Sequence, residues 1–139
     1  MLKYLIILII TPGLIWAEYG SYRVTRIHNV YDGDTLRVDL DLLPPIIGEN
    51  IPIRLRGIDT PEIQGRCNQE KTLAYAARDR LHQLIQQATI IEARNISRGR
   101  YFRIVADLIL DNINVAELLL SENLAVRYNG GKKNHSWCR

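Results

Sequence analysis

The chain is short of the side chains that thiolate and imidazole metal chemistry require. It has 2 cysteines in 139 residues, Cys67 and Cys138, and neither has a CxxC partner or a ligand pair nearby. That excludes the closely spaced four-ligand cage of a structural zinc site. The 3 histidines, His28, His82 and His135, are isolated from one another, so no cluster competes for a softer metal. Charge of one sign is scarce too. The formal net charge of +3 is too small by itself to name a polyanionic partner. Internal repeats and low-complexity tracts are missing, which leaves one ordinary domain.

Long apolar runs are limited to one. A cationic start, Met1-Leu2-Lys3, leads into an apolar stretch from Tyr4 to Ile10, then Thr11-Pro12-Gly13 and Leu14-Ile15-Trp16-Ala17. The first acidic residue is Glu18. This order describes a signal peptide over residues 1–17, with cleavage expected after Ala17, ahead of a domain over residues 18–139. The apolar stretch falls short of the roughly 20 residues of a spanning helix; an uncleaved anchor through residues 4–17 is the alternative. Export would make the protein secreted or periplasmic. In an oxidising compartment an even cysteine count favours a Cys67–Cys138 disulfide.

What is present alternates. Tyr22 to Val30 interleaves apolar and polar residues as a half-buried strand does, Asp32-Gly33 marks a turn, and Thr35 to Leu40 resumes the alternation. Leu43-Pro44-Pro45-Ile46-Ile47-Gly48 is expected to be a loop, because paired prolines do not belong to a central strand. Ile51 to Ile58 is expected to be a strand, stopped by Thr60-Pro61-Glu62. Leu73, Ala74, Ala77, Leu81, Leu84 and Ile85 give a helix over Asn68 to Gln87. Thr89–Ala93 and Tyr101–Leu110 are two further expected strands. A second helix opens at Asn112, a short extended piece covers Leu124–Val126, and the tail from Asn129 to Lys133 is irregular. Five strands with a helix after the third suggest an α+β chain: a five-stranded OB-type β-barrel with two or more packed helices.

Two polar motifs lie at strand ends. Asp32-Gly33-Asp34-Thr35 sits at a hairpin turn, and Asp59-Thr60-Pro61-Glu62 closes a later strand. Either one alone is ordinary turn chemistry. Together, Asp34, Asp59 and the Thr60 carbonyl form a partial oxygen shell for a hard cation. Arg54, five residues before Asp59, suits a phosphate clamp because a guanidinium matches phosphate oxygens and stays charged. Glu62 is the carboxylate able to orient or deprotonate a water.

These residues, with Arg54-Leu55-Arg56-Gly57-Ile58 leading into Asp59, resemble the staphylococcal (micrococcal, thermonuclease) nuclease family over roughly Tyr22 to Tyr128. The resemblance implies an OB-fold barrel with helices, a Ca²⁺ cofactor, and hydrolysis of DNA and/or RNA, expected to be endonucleolytic, to 3′-phosphate products. It makes Asp34 and Asp59 the calcium-binding aspartates with the Thr60 carbonyl, Glu62 the water-positioning carboxylate and Arg54 the first phosphate-binding arginine. The second arginine falls at Arg103, in Tyr101-Phe102-Arg103 followed by Ile104-Val105-Ala106-Asp107. Phe102 stands where the family has glycine, which removes backbone freedom beside Arg103. Arg98 and Arg100 lie close to it in sequence. The segment after Leu124 is short and ends Trp137-Cys138-Arg139, so the family's C-terminal helix is expected to be absent or replaced, with the disulfide as the anchor.

Tyr101 and Tyr128 are candidates to stack on or hydrogen-bond to a nucleotide. Asn95-Ile96-Ser97 and Asn134-His135-Ser136 fit the glycosylation triplet, which matters only in a eukaryotic secretory route. The expected protein is a monomer with a nucleic-acid substrate and no stable protein partner. The alternative is a catalytically silent OB-fold nucleic-acid-binding module; an exported interaction module has no positive support in the sequence.

Overall fold

The computed structural model describes residues 19–139. The expected signal peptide, its cleavage point and the alternative anchor lie outside them. Among the described residues no helix is long and apolar enough to cross a membrane.

Among the described residues, eight strands and three helices follow in the order β1 (Tyr22–Val30), β2 (Thr35–Leu40), α1 (Pro45–Gly48), β3 (Ile51–Leu55), β4 (Ile58–Asp59), α2 (Asn68–Gln87), β5 (Ile91–Arg98), β6 (Ile104–Leu110), β7 (Ile113–Asn114), α3 (Val115–Ser121) and β8 (Val126–Arg127). The hydrogen-bonded order β3-β2-β1-β5-β6 closes on itself through a parallel β3–β6 pairing. The result is a five-stranded closed barrel with three helices, the α+β OB-type architecture expected. Closure removes the open edges that would otherwise invite pairing with another chain. Alternate residues point inward: Leu36, Val38, Ile53, Leu55, Ala106 and Leu108 are buried in the core. Burying each large aliphatic side chain contributes about 1.5–3 kcal/mol.

Helix α2 spans the expected residues and buries Ala74, Ala77 and Leu81. Its first turn makes half of a capping box, with a disulfide sulfur in the usual hydroxyl position. The Glu70 N–H donates to Cys67 Sγ, and the Glu70 carboxylate accepts from the N–H groups of Arg66 and Glu62. Gly33 shows why the β1–β2 turn needs glycine: a Cβ there would come within 2.7 Å of Ala77 Cβ and 2.8 Å of Thr60 Cγ2. The helix therefore presses the Asp32–Asp34 turn onto Thr60.

Several expected boundaries move. The paired prolines open the single helical turn α1 instead of a plain loop; Pro45 supplies a first helical position, where its missing N–H costs nothing. The expected strand Ile51–Ile58 is broken at Arg56-Gly57, with Gly57 at φ +78°, into β3 and β4. Strand β5 runs on to Arg98 and β6 starts only at Ile104, because residues 99–103 form the turn between them. The second expected helix starts at Val115, not Asn112, with Asn114 Oδ1 accepting from the Ala116 N–H. The extended piece near the C-terminus is Val126–Arg127, paired with Ile58–Asp59. Cys67 and Cys138 form the expected disulfide, across a separation of 71 residues.

Candidate active site

Strand register brings the two polar motifs together. Thr35 pairs with Arg54 across β2 and β3, and the Leu55 N–H donates to the Asp34 carbonyl at 2.8 Å. Asp34 thus lies beside Arg54, and Asp59 follows in β4 after the Arg56-Gly57 turn. One guanidinium links both carboxylates: Arg54 Nη1 to Asp34 Oδ1 at 2.7 Å and Arg54 Nη2 to Asp59 Oδ1 at 3.0 Å. The Thr60 N–H donates to Asp34 Oδ2 at 3.0 Å, and the Thr35 hydroxyl donates to Asp34 Oδ1 at 2.9 Å. Asp34 is 1% exposed. Thr60 is also buried, and its hydroxyl has no partner.

Charge in such a place has a cost, and the titration of these groups shows where it falls. Burial raises the Asp34 pKa above the ordinary carboxylate value, even though Arg54, the Thr60 N–H and the Thr35 hydroxyl pull it down. Asp32 accepts from the Asp34 N–H at 3.1 Å. Burial first, and the neighbouring Asp34 second, push Asp32 up to about 7. Burial works against the Arg54 charge, but Asp34 and Asp59 outweigh it, so its pKa lies above the ordinary value. The site holds more negative charge than its own cations balance.

Glu62 lies just beyond β4 and is half exposed. It is joined to Asp59 through Lys133, whose Nζ lies 2.7 Å from Asp59 Oδ1 and 2.7 Å from Glu62 Oε1. Desolvation opposes the Lys133 charge, yet hydrogen bonds to Asp59 and Glu62 raise its pKa overall. Arg103 has no carboxylate partner among the described residues, and its Nε is buried without a hydrogen bond. It lines the same cleft as Arg54, an open space of about 580 Å³ that also takes in Arg100, Tyr101 and Tyr128. Tyr128 stacks against Arg54, 5.9 Å from ring centre to guanidinium carbon, and its hydroxyl donates to the Gly131 carbonyl at 2.7 Å. Tyr101 and Phe102 are 93% and 83% exposed, at φ +57° and +61°.

The structure therefore brings Asp34, Arg54, Asp59, Thr60 and Glu62 into one bonded network, with Arg103, Tyr101 and Tyr128 along the adjoining cleft. Arg56, which neighbours Arg54 in sequence, does other work: it bonds the Asn95 carbonyl and the Ser97 hydroxyl and ties β3 to β5. Three residues with a bearing on the site were missed from sequence. Asp32 was visible only as a turn residue. Glu70 could have been found as the third residue after the Cys67 cap. Lys133 carried no signal, because its approach depends on how the tail folds back. Among the described residues, the one triple of acidic, cysteine or histidine side chains with ligand atoms within 4.8 Å is Cys67, Glu70 and Cys138. It is no metal centre, because its two sulfurs are joined to each other.

A hard divalent cation fits this donor set. Asp34, Asp59 and the Thr60 carbonyl offer oxygen alone, and the buried Thr60 hydroxyl beside them has no partner. The family model described as staphylococcal nuclease homologue matches residues 52–137, from the start of β3 to the tail. No curated protein matches the chain. The matched span holds Arg54, Asp59, Thr60, Glu62, Tyr101, Arg103 and Tyr128, whereas Asp34 precedes it and joins the site through its contacts with Arg54 and Thr60.

Proposed function

The chain belongs to the staphylococcal nuclease homologue family, and from that premise we propose that it is an exported, Ca²⁺-dependent nuclease cutting DNA and/or RNA. Membership carries a nuclease-like or nucleic-acid-binding role. The finer reading rests on one observation: the two aspartates, Arg54 and Glu62 form a connected network at one end of the barrel, beside the cleft that Arg103 lines.

In this reading Arg54 and Arg103 bind the scissile phosphate from the cleft and offset the charge that builds on its oxygens. Removing one such donor typically costs 10²–10³-fold in rate. Glu62, half exposed at the mouth, orients a water and takes its proton as the oxygen attacks phosphorus; a positioned base contributes roughly 10²–10⁴-fold. The bond from phosphorus to the 5′ oxygen breaks, that oxygen is protonated, and the phosphate stays on the 3′ side, as the family resemblance implies. Asp34, Asp59 and the Thr60 carbonyl would hold the Ca²⁺, which when bound supplies positive charge against a phosphate oxygen. Tyr101 and Tyr128 flank the cleft and would stack on neighbouring bases. Cutting within a strand, an endonucleolytic mode, suits a cleft open at its sides. Export is supported by the apolar N-terminal segment and by the disulfide, which persists in an oxidising compartment.

The test is digestion of plasmid, single-stranded DNA and RNA by the oxidised protein, with calcium and with a chelator, beside Glu62→Gln. Cutting that needs calcium and falls by about 10²–10⁴-fold in the variant is expected. Folded protein that retards DNA in a gel but never cuts it would replace this reading with the silent binding module.

A further inference from the structure

The residues from Asn129 to Arg139 contain no helix or strand, yet both ends of this tail are pinned. At one end the Tyr128 N–H donates to the Gly57 carbonyl at 3.0 Å, directly after β8 has paired with β4. At the other, Cys138 is bonded to Cys67 at the start of α2. Lys133 lies between the pins, and its ammonium sits in the one gap between Asp59 and Glu62. Most surface ion pairs contribute little, because solvent screens them and two long side chains must be held still. This one differs on both counts. The Asp59 side chain is 6% exposed, and the lysine is presented by a segment held at both ends. Holding a group on a short tether gives it a high effective concentration at its target.

We infer that Lys133 is a built-in competitor for the divalent cation: an ammonium, held in place by the Cys67–Cys138 bond, that must leave Asp59 before that carboxylate can take a metal. This inference rests on the metal reading above. The geometry supplies the conflict. A hard divalent cation binds carboxylate oxygens at about 2.3–2.6 Å, and Nζ already stands 2.7 Å from both Asp59 Oδ1 and Glu62 Oε1. Asp59 Oδ1 already faces the Arg54 guanidinium at 3.0 Å, so a divalent cation added beside the ammonium would be a third positive centre at one carboxylate. Arg54 Nη2 shares that oxygen but belongs to the pre-formed clamp that also holds Asp34, whereas Lys133 is brought in from the tail and bridges Asp59 to Glu62. The tail thus sets the metal affinity of the site, and cleavage of the disulfide frees the far pin and weakens the competition. A change in redox state is thereby read out as a change in cation affinity.

The experiment is calorimetric titration of calcium chloride into the full-length oxidised protein, into Lys133→Met and Lys133→Arg, and into the wild type treated with a non-chelating phosphine reductant. Circular dichroism checks that each is folded. Lys133→Met should bind calcium about 10-fold more tightly, which corresponds to about 1.4 kcal/mol. Lys133→Arg keeps the charge and should stay near wild type, and the reduced protein should move toward Lys133→Met. Unchanged or weaker calcium binding in a folded Lys133→Met overturns the inference and leaves the metal reading intact. No calcium binding by any of the proteins removes both.

Discussion

The two halves of the candidate site are built in opposite ways. The acidic half, Asp32, Asp34, Asp59 and Thr60, is buried against the barrel core, and its oxygens are held by backbone N–H groups, a hydroxyl and Arg54. The basic half beyond Arg54 sits on the turn between β5 and β6. There Tyr101 and Phe102 stand almost fully in solvent on left-handed backbone, and Arg103 carries no counter-ion among the described residues. The first is held in place by burial and by hydrogen bonds to the surrounding backbone. The second is free to be completed by whatever enters the cleft. A site that must bind a compact cation and a long flexible polyanion gains from that division: the cation requires fixed oxygens, and the polymer requires a surface able to adjust.

The contrast is sharpest between the two arginines. Arg54→Ala and Arg103→Ala should each lower cleavage by about 10²–10³-fold, since each removes one phosphate donor. Stability should separate them. Taking away Arg54 leaves two buried carboxylates with a lost partner, a change that costs about 3–5 kcal/mol. Taking away Arg103 deletes a part-buried side chain with no counter-ion to abandon and an Nε that makes no hydrogen bond, so its cost should stay within about 1 kcal/mol. Urea unfolding in chelator measures both. Equal losses of stability would end the comparison.

That asymmetry also governs what could be seen in the sequence. Asp34, Arg54, Asp59 and Glu62 were legible because strand register and a stop at Pro61 fix them locally, and because alternation places Arg54 opposite Ile53 and Leu55. Helix α2 was legible from its apolar spacing to the residue. The β5–β6 boundary was not: Tyr101-Phe102-Arg103-Ile104 reads as the start of a strand, and only the turn bonds from Gly99 and Arg103 show otherwise. Lys133 was out of reach for a different reason. It lies 71 residues from Glu62, and the contact needs both the β4–β8 pair and the disulfide to bring the tail back. Local chemistry can be read from neighbours in the chain; a contact made by closing a long loop cannot.

Within the acidic half, Asp32 gives a test of about 3 kcal/mol. Its carboxyl pKa is raised by burial to about 7 in the folded protein, whereas in the unfolded chain it lies near the ordinary 3.8. The folded state therefore holds that proton more tightly. The stabilisation is complete below the unfolded value and is lost as pH rises through about 7. Asp32→Asn keeps the oxygen that accepts from the Asp34 N–H and cannot ionise. In chelator, its stability relative to wild type should rise between pH 4.5 and pH 8, followed by urea unfolding. A difference that stays constant across that range would mean Asp32 does not titrate there.

The smallest effect probes the turn that carries Arg103. At an exposed position alanine ordinarily beats glycine by about 0.5–1 kcal/mol, because glycine loses more backbone freedom on folding. Phe102 stands at φ +61°, where a Cβ crowds the following carbonyl and costs roughly 1–2 kcal/mol. The ring repays little of that: it is 83% exposed, with the Arg98 guanidinium 5.0 Å from its centre. Phe102→Ala keeps the Cβ and loses the ring contact, so it should be slightly less stable than wild type. Phe102→Gly loses the same contact and removes the strain. The usual order should therefore reverse, with the glycine variant more stable than the alanine variant by about 1 kcal/mol in urea unfolding. If alanine is the more stable, the backbone at this turn relaxes away from the left-handed region. The cost of placing Phe beside Arg103 would then be far smaller than its dihedral implies.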